Sequence, residues 1–393
     1  MKRIILTLTS LVITVQADWK QWRGPTGQGH ANANLPIEWN EKKNIKWRTT
    51  IPGKGWSSPV IEGNQVWMTT AFETVASEEE RHERLKKNTG GVPVHVLSSV
   101  RLNAVCVDKQ NGKLLHNIEV IAKKQPQWVH KLNSYASPSP IIESGRVYCH
   151  FGAYGTVCVD AKTGKVAWRN DKVWVMHENG PGSTPVLWKD LLIFHMDGSD
   201  QQFVVALDKA TGKERWRTKR SGKMHDNPQL KKSYGTPVLR EVDGKPVLLS
   251  PGSNWLYAYS PATGKELWKV EYGGLGFSLV PRPVTGHGMI FMSTGYMRPK
   301  LLAVRYEKTA KPDIAWSYSR SVSTQPSPLL VGDELYFITE SGGLVTCLNA
   351  HTGEKHWVER IGGNYSSSPT FASGKIYFHS REGVTTVLQA GKT

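Results

Sequence analysis

Few residues in this chain have the types and spacing that chemistry asks for. Two adjacent pairs, His177-Glu178 and His225-Asp226, offer an imidazole and a carboxylate, the ingredients of a metal site or a proton relay. Neighbours on a strand or extended loop point in different directions, so neither pair makes a site alone, and both are expected on solvated loops. The chain has no Gly-x-Ser-x-Gly, no His-Glu-x-x-His and no glycine-rich phosphate loop. Nor does it have a Cys-Cys pair or a compact acidic cluster with calcium-loop spacing. Catalytic residues and a metal site are therefore assigned to none of its positions.

The four cysteines point to packing. Cys106, Cys158 and Cys347 stand just before an apolar-Asp or apolar-Asn step, where another copy of the same step carries Ala206. They read as small core residues. Cys149 and Cys158 flank a hairpin turned at Ala153-Tyr154, so a disulfide between them is conceivable after export. Buried free thiols are the expected state, because disulfide geometry is demanding.

A ten-residue unit recurs along the chain. Val159-Asp160-Ala161-Lys162-Thr163-Gly164-Lys165-Val166-Ala167-Trp168 returns with Asp208, Gly212 and Trp216, then with Gly264 and Trp268 (Ser260 in the Asp place), and with Gly353 and Trp357. A worn copy around Asp108 and Gly112 ends at His116 where Trp is expected, and Trp316 keeps the tryptophan without the turn. Asp suits the first position of a turn because its carboxylate bonds backbone N–H groups just ahead. Glycine supplies the positive φ of a hairpin loop ending in a G1 bulge. Each copy reads as the hairpin between the third and fourth strands of a four-stranded unit, with the Trp as a packing clasp on the outer strand.

A second signal keeps phase with the first. A residue plus proline, two short alternating strands and a tight turn recur at Pro59, Pro140, Pro185, Pro237, Pro283, Pro328 and Pro369. Proline is tolerated at the first residue of a strand. The successive prolines lie 81, 45, 52, 46, 45 and 41 residues apart, and blades of a β-propeller run roughly 40–50 residues. The spacing predicts an all-β propeller over residues 44–393 with seven blade starts, interrupted by an insertion at about 72–100. In that insertion Ser77 to Glu80 opens like a capping box, and Glu80/Arg84 and Glu83/Lys87 are spaced for helical pairing. Residues 18–43 form a Gly/Asn-rich arm expected to lie over the surface. Asn44 to Arg48 resembles a Trp-bearing outer strand that lost its first three strands, as ring closure by the two chain ends would require.

These motifs resemble the pyrroloquinoline quinone (PQQ)-like repeat proteins, whose repeat is an apolar-Ala-x-Asp-x-x-Thr-Gly-Lys-x-x-Trp hairpin. The resemblance covers nearly all of residues 44–390, and Trp19 to Pro25 resembles the start of secreted members of that superfamily. It implies rings that commonly have eight blades, and hence a further blade beyond Thr393 unless the Trp47 strand completes the last one. One branch of the superfamily oxidises alcohols or sugars with PQQ and calcium. Another is non-catalytic, such as the lipoprotein of the outer-membrane β-barrel assembly machinery. With no dehydrogenase motif here, the expected function is non-enzymatic: a propeller without cofactor that binds a protein, small-molecule or glycan partner. The alternatives are a PQQ- and calcium-dependent dehydrogenase and an envelope assembly scaffold.

If the ring forms, the segments entering its innermost strands converge on one mouth of the central channel. They carry Trp56, Asn133, Tyr135, Asn179, Tyr234, Phe277, Gln325, Asn364 and Tyr365. Aromatic and amide groups of that kind could stack on and hydrogen-bond a ligand; alternatively they satisfy one another and plug the channel.

Composition narrows the setting. The formal charge of the 393 residues is +17, but many lysines belong to the repeated turns, so the charge is dispersed, no nucleic-acid motif accompanies it, and no nucleic-acid partner is expected. Lys2-Arg3, the apolar run Ile4 to Val15 and a small residue at Ala17 fit a secretory signal peptide over residues 1–17. No later stretch suits a membrane span. An exported monomer, periplasmic or extracellular, is the expectation.

Overall fold

The computed structural model describes residues 18–88, 93–307, 309 and 311–393, so the expected signal segment lies outside the described residues. Seven four-stranded sheets account for most of the strand residues. Blade 1 comprises Val60–Glu62, Gln65–Val75, Leu97–Asp108 and Leu114–Lys124. Blade 2 comprises Ile141–Glu143, Arg146–His150, Thr156–Asp160 and Val166–Asn170. Blades 3 and 4 begin at Val186 and Val238 and end at Lys219 and Glu271. Blades 5 and 6 begin at Val284 and Leu329 and end at Tyr318 and Arg360. Blade 7 contributes Thr370–Ala372, Lys375–His379 and Thr385–Gln389. The first strands of neighbouring blades touch one another, which makes them the inner wall. Apolar layers fill the wedges between blades: Leu102 and Ala104 of blade 1 pack with Val147, Val157 and Val159 of blade 2.

The repeated hairpin has the expected construction. In blade 2, Asp160 Oδ1 accepts from the Thr163 N–H and Oγ1 (both 2.9 Å), Gly164 takes φ +71°, and the ladder shifts at Cys158/Val159. What the sequence left open is where the tryptophan goes. Each reaches the turn of the next blade. The Trp168 indole lies on Gly212 and donates from Nε1 to the Lys209 carbonyl (3.0 Å). Trp216 covers Gly264, Trp316 covers Gly353, and Trp357 Nε1 donates to the Gly391 carbonyl (3.1 Å). His116 takes the same place against Gly164. Trp268 meets Tyr306 of blade 5, whose turn lacks the Thr-Gly-Lys. Trp47 completes the circuit on blade 1: its ring lies on Gly112, Nε1 donates to the Lys109 carbonyl (2.9 Å), and Thr49 Oγ1 donates to the Gly112 carbonyl (2.6 Å).

The last sheet departs from expectation. Its fourth strand is His30–Ala31, which runs parallel to Thr370–Ala372 on the inner edge. The Trp47 segment supplies the clasp without forming that fourth strand. The reason is that residues 18–31 do not lie over the surface. Trp19 pairs with Ile61 of blade 1, Lys20 accepts from Ile142 of blade 2, Gln28 bonds Thr285 of blade 5, and Gly29 accepts from Phe371 of blade 7. The arm thus crosses the axis at the end where the first and second strands turn, and buries Arg23, Gly24, Gly27 and Gly29. Beyond Ala31 the exposure becomes continuous, from Asn32 to Lys46.

The residue-plus-proline starts also gain a role. Ser58 N–H donates to Ser139 Oγ (2.9 Å), Ser139 N–H to Thr184 Oγ1 (3.1 Å), and Thr184 N–H to Thr236 Oγ1 (3.0 Å). Arg282 N–H donates to Ser327 Oγ (2.9 Å) and Ser327 N–H to Ser368 Oγ (2.9 Å). The hydroxyl of one blade satisfies the N–H of the blade before it, a belt around the channel.

The insertion is more regular than a loop. Its ends are ladder, since Gln65–Val75 pairs with Leu97–Asp108 along its whole length. At the tip, Ser77 caps the helix Glu78–Leu85 by accepting from the Glu80 N–H (3.1 Å). Glu80 pairs with Arg84 (3.3 Å) as expected, whereas Glu83 pairs with Lys86 rather than Lys87. All four cysteines are buried and free. The ladder explains Cys149 and Cys158: Cys149 opposes Val157 and Cys158 opposes Tyr148, so the thiols lie on opposite faces of the sheet and in different apolar layers. Burial raises the Cys158 thiol to about 11 and those of Cys106 and Cys347 to about 12, which keeps them protonated and unreactive.

Candidate functional site at one mouth of the channel

The arm occupies one end of the axis, so the blade-entry segments and the loops between second and third strands surround the other. The residues expected there divide sharply. Tyr135, Tyr234 and Tyr365 are buried. The Tyr135 hydroxyl donates to the Gln127 carbonyl (2.8 Å), as does that of Tyr154 (3.0 Å), and Tyr234 donates to the His177 carbonyl. These rings fasten loops together and offer a ligand no face. Asn133 ties its own segment to the next, donating from Nδ2 to the carbonyls of Asn179 (2.8 Å) and Pro181 (3.1 Å). Gln325 accepts from Ser366 (2.9 Å) and Arg381 (3.2 Å). Asn364 donates to Glu382 (2.7 Å), and this donation with its neighbours holds the Glu382 carboxyl down to about 2.

What the mouth presents to solvent is the expected Trp56 together with residues outside the expected set. Trp56 is 56% exposed. Tyr296 and Met297, on the loop after the second strand of blade 5, are 60% and 66% exposed, with Phe277 edge-on to Tyr296 at 5.9 Å. Leu132, Trp174 and Val280 are exposed on the entries to blades 2, 3 and 5. Sequence reasoning missed Trp174, yet a signal was there. It lies six residues after the clasp Trp168, where the repeat has no use for a second indole.

Below the rim, between blades 2, 3 and 4, sits a buried polar cluster. His177 and Glu178, expected on a solvated loop, are both buried; His225 and Asp226 are exposed as expected. His177 Nε2 accepts from the Ala153 N–H (3.0 Å), the turn between the second and third strands of blade 2 closing over it. His150 Nδ1 pairs with Thr156 Oγ1 (2.8 Å) and His195 Nδ1 with Ser250 Oγ (3.1 Å). Burial holds His150 and His177 down to about 3 and His195 well below its ordinary value, so all three are neutral. Asp197 beside them takes Arg220 Nε at 2.8 and 2.9 Å, both side chains fully buried, and the Arg220 guanidinium lies 4.7 Å from the Tyr257 ring. Asp197 keeps Arg220 cationic, while burial pushes the Asp197 carboxyl up. Lys232, near Glu178, is lowered by burial to about 8. The void between the histidines and Asp197 is about 10 Å³, the space of roughly one water molecule.

The ion pair carries its own test. Arg220→Met leaves Asp197 buried without a partner, which costs about 3–5 kcal/mol. Adding Asp197→Leu to it should restore most of that loss in urea unfolding. Equal destabilisation of the single and double variants would show that the pair does not act as a unit.

One further group could hold a metal. His287, Asp333 and His351 present ligand atoms within 4.8 Å of one another on the turns of blades 5 and 6, at the arm's end of the ring. His351 Nε2 lies 3.0 Å and His287 Nε2 3.6 Å from Asp333 Oδ1. Sequence reading missed it because the three residues come from separate turns.

The family model described as outer membrane protein assembly factor BamB matches residues 32–218 and, overlapping, 200–346. Among solved structures, BamB from Moraxella catarrhalis superposes with a TM-score of 0.56 at 18% identity, covering 77% of this chain and 83% of that one. The quinohemoprotein alcohol dehydrogenase ADHIIG from Pseudomonas putida HK5 gives 0.55 at 13% identity, over 95% and 76% of the two chains. That of Comamonas testosteroni gives 0.56 at 14% identity, over 92% and 76%. At such identities the likeness shows the propeller fold alone. Comparison with curated proteins finds no match.

Proposed function

Because the chain belongs to the PQQ-like propeller family described as outer membrane protein assembly factor BamB, we propose that it is an exported, non-enzymatic propeller that binds a protein partner through the open mouth of its channel. The observation that carries this reading is the asymmetry of the two ends. One is sealed by the chain's own arm, while the other displays Trp56, Trp174, Tyr296 and Met297 to solvent. Exposed aromatic and Met side chains gathered on one face mark interaction surfaces, since such residues are enriched where proteins dock. No helix among the described residues is long and apolar enough to cross a membrane.

The dehydrogenase reading asks for PQQ, a flat tricarboxylate stacked on an aromatic platform and seated on calcium. The residues here do not fit it. Tyr135, Tyr234 and Tyr365 have no free face at the mouth. Both oxygens of Asp197 are taken by Arg220, whereas calcium needs six to eight oxygen ligands. The space beneath the rim has room for about one water, not a tricyclic ring.

Two assays test the proposal. Trp56→Ala combined with Trp174→Ala should weaken partner binding at least 30-fold, the loss of about 2 kcal/mol that defines a binding hot spot, without lowering Tm. Purified protein given PQQ and calcium should not reduce an electron-accepting dye with alcohols or sugars. Dye reduction that depends on both additions would replace the binding reading with the enzymatic one.

A further inference from the structure

The sealed end of the channel contains charge that the protein leaves unbalanced. Arg23, on the arm, and Arg282, at the entry to blade 5, are each only 4% exposed. Arg23 Nη2 donates to the carbonyls of Gln28 and Pro328 (both 3.0 Å), and its Nε and Nη1 have no partner. Arg282 Nη1 donates to the Trp22 carbonyl (3.0 Å), and its Nε has no partner. No carboxylate among the described residues acts on either guanidinium; the charges that Arg282 feels are those of Arg23 and Arg240, both repulsive. Burial accordingly lowers both to about 9.

Arg220 is the opposite case. There the same fold buries a guanidinium and gives it Asp197. An isolated buried charge is far costlier than a paired one, so two neighbouring cations in one enclosed site call for a negative group the chain does not supply. The arm is shaped around them. A Cβ on Gly27 would lie 2.5 Å from Arg282 Nη1 and one on Gly29 would lie 2.6 Å from Arg23 Nη2, and both glycines have positive φ. Buried guanidinium N–H groups left without partners suit an oxyanion, because guanidinium geometry matches carboxylate and phosphate oxygens.

We propose that Arg23 and Arg282 form a buried site for one small free oxyanion, of the phosphate, sulfate or carboxylate class, which latches the arm to blades 5 and 6. This site lies at the end opposite the proposed partner surface and does not depend on that reading. Its unpaired N–H groups would be satisfied by the anion's oxygens, and its charge would offset the repulsion between the two arginines.

The test uses the full chain, dialysed into a buffer whose ionic strength is held constant with chloride. Replacing chloride stepwise by inorganic phosphate, sulfate or acetate should raise Tm by several degrees with a saturating dependence, and equilibrium dialysis with labelled phosphate or sulfate should find one ion per chain. Comparing the three probes distinguishes the phosphate and sulfate sources from a carboxylate. Arg282→Gln should abolish both responses. Arg23→Gln should do the same while the arm becomes more readily cleaved by trypsin at Lys20. If one variant fails to fold, the wild-type stoichiometry and the other variant still decide. The proposal is overturned if none of the three ions differs from chloride, or if the arginine variants respond as the wild type does.

Discussion

Lowering the pH from 6.5 to 4.5 should destabilise the protein steeply, by about 4 kcal/mol per pH unit if His150, His177 and His195 each contribute the ~1.4 kcal/mol of a one-unit shift. The sign follows from the direction of the shifts. Folded, His150 and His177 accept a proton only near pH 3 and burial holds His195 well below its ordinary value, whereas an unfolded histidine titrates near 6.5. Between those values the unfolded chain binds more protons, so the stability these groups confer is complete above pH 6.5 and is lost on acidification. A domain has about 5–15 kcal/mol in hand, so unfolding near pH 5 is expected. Urea unfolding at half-unit steps from pH 7.5 to 4.5 measures the slope. His150→Gln, which keeps a hydrogen-bonding group opposite Thr156, should flatten it by about a third. An even stability across that range would mean that the histidines are hydrated and the cluster is not a closed core.

Gly212→Ala should destabilise the ring by about 3 kcal/mol. Two effects add. The residue sits at φ +70°, where a side chain costs on the order of 1 kcal/mol, and its Cβ would fall 2.4 Å from Cε3 of Trp168, an overpacking worth about 1–3 kcal/mol. Gly63→Ala separates them, because Gly63 also has positive φ (+56°) but a Cβ there meets nothing within 4 Å; it should show the backbone cost alone. Trp47→Ala should match Trp168→Ala if the segment before blade 1 performs the same clasp. Thermal unfolding of the four variants gives the order. A Gly212→Ala no worse than Gly63→Ala would remove the indole contact from the account.

The clasps were legible from the chain because they are local and repeated: Asp160, Gly164 and Trp168 declare a hairpin by turn chemistry, and recurrence sets the phase. Their partners were not legible, since Trp168 reaches a turn forty residues on and nothing in its own neighbourhood says so. The arm was misjudged for a related reason. Arg23 and its glycines have no strand or helix period, and only contact with blades 5, 6 and 7 gives them a place. At the mouth, residue type proved a poor guide to exposure. Tyr135 and Trp56 looked equivalent in sequence, but one ring is enclosed by Tyr154 and Gln127 while the other stands in solvent. His177-Glu178 failed as a surface pair because the loop carrying it is pulled inward by the Gln127 and Tyr234 bonds, which come from two other blades' segments.

On the proposed function, one mouth of the propeller is the docking face and the other is closed by the arm. Photo-crosslinking in the organism that makes the protein tests it directly. A photoreactive amino acid replaces Trp56, Trp174 or Tyr296 at the mouth, or Leu267 or Val358 on the outer strands of blades 4 and 6, which are also exposed. One recurrent adduct is expected from the three mouth positions and none from the outer strands. Adducts of equal yield from both sets, or from the outer strands alone, would contradict it.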